Sequence, residues 1–86
     1  MSKVLVILKV MPEGLDSNLD EMSEKLKTLS TGRFNSLEKE PIAFGLVALK
    51  PSYVVEDAGG VTDNLEKEIS GIDGVKTVEV VDVSLI

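Results

Sequence analysis

Apolar residues are nearly continuous, and many of them β-branched, from Lys3 to Met11 (KVLVILKVM). That pattern predicts a strand buried on much of both faces, and so central in its sheet. Pro12, Glu13 and Gly14 end it. The spacing then changes: Leu15, Leu19, Met22, Leu26 and Leu29 recur at intervals of 4, 3, 4 and 3, one apolar stripe of an α-helix. Asp16 or Ser17 can cap this helix. Asp20 and Glu21 sit in its early turns, Lys25 and Lys27 near its end, and Gly32 is its stop signal. Arg33 to Glu40 is polar and predicts an edge strand. A further strand is expected within Gly45 to Asp57, surest at Tyr53, Val54 and Val55. There Pro51 has no N–H for a ladder and implies a bulge, a break or an unpaired register.

Gly59-Gly60 punctuates the chain. Asp63 with Glu66 three residues on has capping-box spacing, and Leu65, Ile69 and Ile72 form the stripe of a second, shorter helix closed by Gly71 and Gly74. The last strand is Lys76 to Ile86. Val78 and Val80 alternate, and Val81 and Val83 fall on the opposite parity, which predicts a bulge or a two-sided strand near Val80-Val81. The order β-α-β-β-α-β, with two right-handed crossovers around a hairpin, predicts an α+β, ferredoxin-like split fold. Its four-stranded antiparallel sheet would carry both helices on one face and leave the other open. Residues 1–86 make a single domain.

Composition narrows what such a domain does. Aromatics are 3%, so the core is expected to be aliphatic. The chain has no Cys, which excludes disulfides and thiolate metal sites, and no His, the commonest general base near neutral pH. A net charge of -6 argues against a phosphate-backbone partner and suits a basic protein one. The apolar run Val4 to Leu8 is too short for a membrane span or a signal peptide, so a cytoplasmic protein is expected.

No catalytic constellation emerges. Ser30-Thr31-Gly32-Arg33 offers hydroxyls and a guanidinium with no obvious base, and a polar inter-element loop is the preferred reading. Gly59-Gly60-Val61-Thr62 precedes a helix, but Glu56, Asp57 and Asp63 would repel a phosphate, so a flexible turn is preferred. Acidic residues at Glu38/Glu40, Glu56/Asp57 and Glu79/Asp82 lack a calcium-loop pattern and read as solvated surface.

The segment EPIAFGLVAL, Glu40 to Leu49, carries one charge. Pro41 and Gly45 suit a central strand poorly, which places Pro41 to Gly45 at the turn between the second and third strands. Ile42 and Phe44 then lie near a hairpin tip. Either they fold back to close the core, which the residues alone favour, or Phe44 projects as an anchor for a partner. Leu46 and Leu49 are core candidates.

The residues PIAFGLVAL, then VVED, then Gly60, Thr62, Asp63, Leu65 and Glu66, then Gly74, Val75 and Val78 to Val83 resemble the exchange-factor domain of elongation factor 1-beta over essentially the whole chain. The resemblance is to the short archaeal form, which consists of this domain alone. It implies a non-enzymatic factor, without a cofactor of its own, that binds the GTPase elongation factor 1-alpha and speeds replacement of GDP by GTP. It also implies that Pro41, Ile42, Phe44 and Gly45 form a partner-binding turn whose aromatic presses on the GTPase. Several eukaryotic relatives end in Lys-Leu, the lysine reaching toward the Mg²⁺ site. Here the corresponding residues are Leu85 and Ile86, so the C-terminal strand is expected to act as a steric wedge. Whether Lys9 or Lys50 substitutes for that lysine stays open. Val47 and Pro51 are further departures from the family pattern.

The alternative on the same fold is an ACT-like regulatory module binding a small ligand, with Met11-Pro12-Glu13-Gly14-Leu15 as its loop. An acylphosphatase-like hydrolase would need an Arg in that loop, where Glu13 stands instead. An RNA-binding module of the RRM kind would need aromatics on the open face.

Overall fold

The computed structural model describes residues 2–14, 18–42, 44–57 and 59–86. Its elements are β1 (Lys3–Pro12), α1 (Leu19–Leu26), β2 (Arg33–Pro41), β3 (Val47–Glu56), α2 (Val61–Ser70) and β4 (Val75–Leu85). The strands form one antiparallel sheet in the order β2-β3-β1-β4. This is the ferredoxin-like split arrangement expected from the sequence, with β1 central and β2 at an edge.

Burial along β1 alternates: Val4, Val6, Leu8 and Val10 are buried, and the residues between Leu5 and Met11 on the other parity are half-buried. The expectation of burial on both faces is thus corrected. Met22 and Leu26 of α1 and Leu65 and Ile69 of α2 join the same core cluster as the buried β1 residues and Leu49, Tyr53 and Val55 of β3. Both helices therefore cover one face, and the opposite face has only its own side chains for shelter.

The core is less purely aliphatic than the composition suggests. Its largest fully buried side chain is Tyr53, which meets the ring of Phe34 edge-on at 6.0 Å between centroids. The Tyr53 hydroxyl donates to the Leu26 carbonyl at 2.7 Å, tying β3 to the end of α1 and satisfying a polar group that burial would otherwise penalise. Burial, and then the carboxylate of Glu68, push this phenol well above its ordinary range.

Several local signals act differently from their sequence reading. Asn18 caps α1, its side-chain oxygen accepting from the Glu21 N–H at 3.0 Å. The expected caps Asp16 and Ser17, and the stripe residue Leu15, lie outside the described residues. Gly32 stands well past the end of α1. A Cβ there would come within 2.6 Å of Val55 Cγ1, so the glycine admits a close approach of the loop to β3 and does not stop the helix. Helix α2 begins after Gly60, whose φ of 82° is left-handed, and no side chain caps it; Asp63 sits in the first turn, where its charge suits the dipole, in place of the capping box expected of it.

Pro51 is fully buried within β3 and pairs with Leu37 of β2. Toward β1 the ladder runs to Ile7–Ser52 and resumes at Val10–Leu49 in unchanged register, so Pro51 makes the expected break without a slip. The expected bulge in β4 is also present. Ile7 pairs with Asp82 and Leu8 with Val80, leaving Val81 as the extra residue. Beyond it, Val83 and Leu85 lie opposite Val6 and Val4, on the parity that the helices cover, yet both stay exposed at the sheet's edge.

Candidate functional site

The β2–β3 hairpin ends in an exposed turn. Its last strand pair is Pro41 with Val47, and the Ile42 N–H then donates to the Leu46 carbonyl at 2.8 Å. Pro41 therefore belongs to the end of β2, and the turn proper begins at Ile42. Pro41 has no N–H to donate, which suits it to an edge-strand end. Reversal is completed by two consecutive residues with positive φ, Phe44 at 55° and Gly45 at 83°. Glycine takes that conformation freely. A phenylalanine there has its Cβ crowded against backbone, at a cost of about 1–2 kcal/mol.

The turn aims Phe44 into solvent, where it is 94% exposed, with Ile42 at 41% beside it. The sequence reading that folded both residues back over the core is thus not what the chain adopts. Pro41, Ile42, Phe44, Gly45, Leu46 and Val47 line a shallow recess of about 230 Å³. Leu46 belongs to this recess and is only half-buried, whereas Leu49 is fully buried as expected of a core residue. An exposed ring above a small apolar recess can fill a pocket on another protein, and it performs no bond-making chemistry.

Leu85 and Ile86 lie elsewhere. Leu85 pairs with Val4, which in turn pairs with Val55, and the Ile86 N–H donates to the Lys3 carbonyl at 3.1 Å. The C-terminal pair thus sits at the Lys3–Glu56 end of the sheet, and the turn sits beyond the Pro41–Val47 end. Nine strand steps along β3 separate these ends, about 30 Å at ~3.3 Å per residue. Pro41, Ile42, Phe44 and Gly45 are brought together, whereas Leu85 and Ile86 are exposed apolar residues at the far end of the sheet, and Val81 and Val83 are exposed further back along the same strand. The parity change in the β4 sequence was the signal for that second group.

The remaining sequence candidates play structural parts. The hydroxyls of Ser30 and Thr31 donate to the Glu68 carboxylate, as does the Ser30 N–H at 3.2 Å, which ties the α1–β2 loop to α2. A wider recess of about 610 Å³ lies against this loop, between Lys3, Arg33 and Glu56. Among the described residues, no group of three or more acidic residues gathers where it could hold a metal ion.

Comparison with known proteins converges on one family. The model of the EF-1 guanine nucleotide exchange domain matches residues 5–86. A protein named elongation factor 1-beta from Methanoregula boonei is 42% identical over 85 residues, 99% of each chain. The protein of that name from Methanosphaera stadtmanae is 43% identical over 84 residues, 96% of each chain. Its namesake from Natronomonas pharaonis is 40% identical over 88 residues and covers all of both.

Proposed function

The chain belongs to the EF-1 guanine nucleotide exchange domain family, and on that footing we propose that it is a translation elongation factor that promotes replacement of GDP by GTP on elongation factor 1-alpha. The family match runs through nearly the whole chain, so the small-ligand regulatory alternative is not favoured. The observation that carries a docking mode is Phe44, almost wholly exposed on a left-handed turn at the end of the hairpin. Backbone strain that holds an aromatic in water is offset where the ring is buried, and a buried aromatic contributes about 1.5–3 kcal/mol by transfer alone.

The factor acts through linkage. If it and GDP each weaken the other's binding to the GTPase, interactions that form only in the nucleotide-free state drive release. A thousandfold faster release needs about 4 kcal/mol of barrier lowering. The nucleotide on such a GTPase is held by a phosphate cradle and Mg²⁺, and displacing either suffices. In this reading Pro41, Ile42, Phe44 and Gly45 supply the anchor, while Leu85 and Ile86 contact a separate region of the GTPase, because the sheet holds the two spots apart. The factor itself makes and breaks no covalent bond, which defines it as an exchange factor and not an enzyme of the usual kind. It works in the cytoplasm with the translation machinery; no helix among the described residues is long and apolar enough to cross a membrane. Release of a fluorescent GDP from archaeal elongation factor 1-alpha, followed with and without the protein, tests the reading.

A further inference from the structure

The open sheet face carries a row of four charges that crosses every strand. Glu38 of β2 lies opposite Lys50 of β3, and Lys9 of β1 lies opposite Glu79 of β4. The β1–β3 register is the same on either side of this row, Ile7 with Ser52 and Val10 with Leu49, and it sets Lys9 beside Lys50 on the two central strands. Both lysines are half-buried. Among the described residues, ion pairs form only at α1, Lys25 with Glu21 and Lys27 with Glu24. Lys9 and Lys50 are therefore not neutralised by contact, although glutamates stand one strand away on each side.

Like charges set opposite each other weaken a sheet. The ladder also breaks at this row, so the lysines stand where the backbone helps them least. Each lysine has a glutamate across one neighbouring strand but none within ion-pair distance, and the two ammonium groups share the centre of an uncovered face. A carboxylate placed between them would accept a charge-assisted hydrogen bond from each and remove their mutual repulsion. The free protein carries the cost and the bound state relieves it, so the gain appears only on association. The row is also within reach of the hairpin. Three strand steps separate Lys50 from Val47 at the base of the turn, about 10 Å.

We propose that Lys9 and Lys50 form a joint cationic seat on the open sheet face for a carboxylate from an acidic segment of the GTPase, engaged together with Phe44. The proposal rests on the exchange-factor reading above. Its test is the double variant Lys9→Met/Lys50→Met in the GDP-release assay, titrated at low and high salt. The half-saturating concentration should rise about tenfold at low salt, the order expected of a charged interface contact, with the limiting rate unchanged. Its dependence on salt should flatten, and the melting temperature should stay equal or rise. The single variants Lys9→Gln and Lys50→Gln should each show part of the loss, which covers an unstable double variant. Lys67→Met on α2 should change nothing. If the wild type accelerates release and the double variant matches its half-saturation and salt dependence, the seat does not exist. If the wild type gives no acceleration, the exchange reading itself fails. GDP alone perturbing the Lys9 and Lys50 ammonium resonances would also overturn the proposal, because the anion would then be phosphate.

Discussion

Phe44 and Gly45 enter the left-handed region one after the other, at φ 55° and 83°, and only the glycine does so without strain. Phe44→Asn should therefore stabilise the fold, by about 0.5–1 kcal/mol, since asparagine tolerates that region better and no buried contact is lost. The same variant should lose most exchange activity. Denaturant unfolding beside GDP-release kinetics checks the pair of effects, and a destabilised variant would contradict the strain.

Gly45→Ala tests the other half of the turn. A Cβ at φ 83° costs about 1–2 kcal/mol. Relief comes by re-aiming the turn, so exchange should fall although Phe44 is intact. Full activity in this variant would show that the direction of the ring is unimportant.

Gly32→Ala addresses the core without touching either exposed spot. The new Cβ would fall 2.6 Å from Val55 Cγ1 and 3.3 Å from Tyr53 Cβ, so β3 or the loop must move. Overpacking of this kind costs about 1–3 kcal/mol. Adding Val55→Ala removes the clashing atom, and the combined variant should lose less stability than the sum of the two single changes, as a thermodynamic cycle would show.

Tyr53 predicts an alkaline limit. Its hydroxyl is raised above the ordinary phenol value by burial first and by Glu68 second. A group whose folded pKa is raised contributes its full stability below the unfolded value, near 10 for tyrosine, and loses it as pH climbs toward the folded value. Stability should thus decline above about pH 10, and Tyr53→Phe should lack that part of the decline. At neutral pH the same variant should cost about 1–3 kcal/mol, because the Leu26 carbonyl loses its buried donor. Denaturant titrations from pH 8 to 11 check both, with the pH range set by the ordinary phenol value.

Much of this fold is legible in periodicity. The change of parity at Val80-Val81 marks the bulge, and the missing N–H of Pro51 marks the break in the β1–β3 ladder, because both are properties of a few adjacent residues. What the sequence hides depends on distant partners. Gly32 reads as a helix stop until Val55 is seen against it. Asn18, the cap the helix uses, stands beside two other residues of capping type, and composition does not rank them. Phe44 is ambiguous for a similar reason: whether a hairpin ring folds inward depends on two backbone angles that composition does not specify. The distance between Phe44 and Ile86 follows from topology, since β4 runs antiparallel to β1 and so ends where β1 begins. The predicted order of elements already contained that separation.

In the proposed mode of action, Phe44 is the anchor through which this protein opens the nucleotide site of elongation factor 1-alpha. Stopped-flow release of a fluorescent GDP from the archaeal GTPase, titrated with wild type and with Phe44→Ala from below to above saturation at a temperature where both are folded, tests this role most directly. The wild type should accelerate release strongly, and below saturation the acceleration per unit of Phe44→Ala should be lower by about tenfold or more, the order expected when a buried aromatic anchor is removed. Equal acceleration by both proteins would contradict the role of Phe44, and no acceleration by the wild type would contradict the function itself.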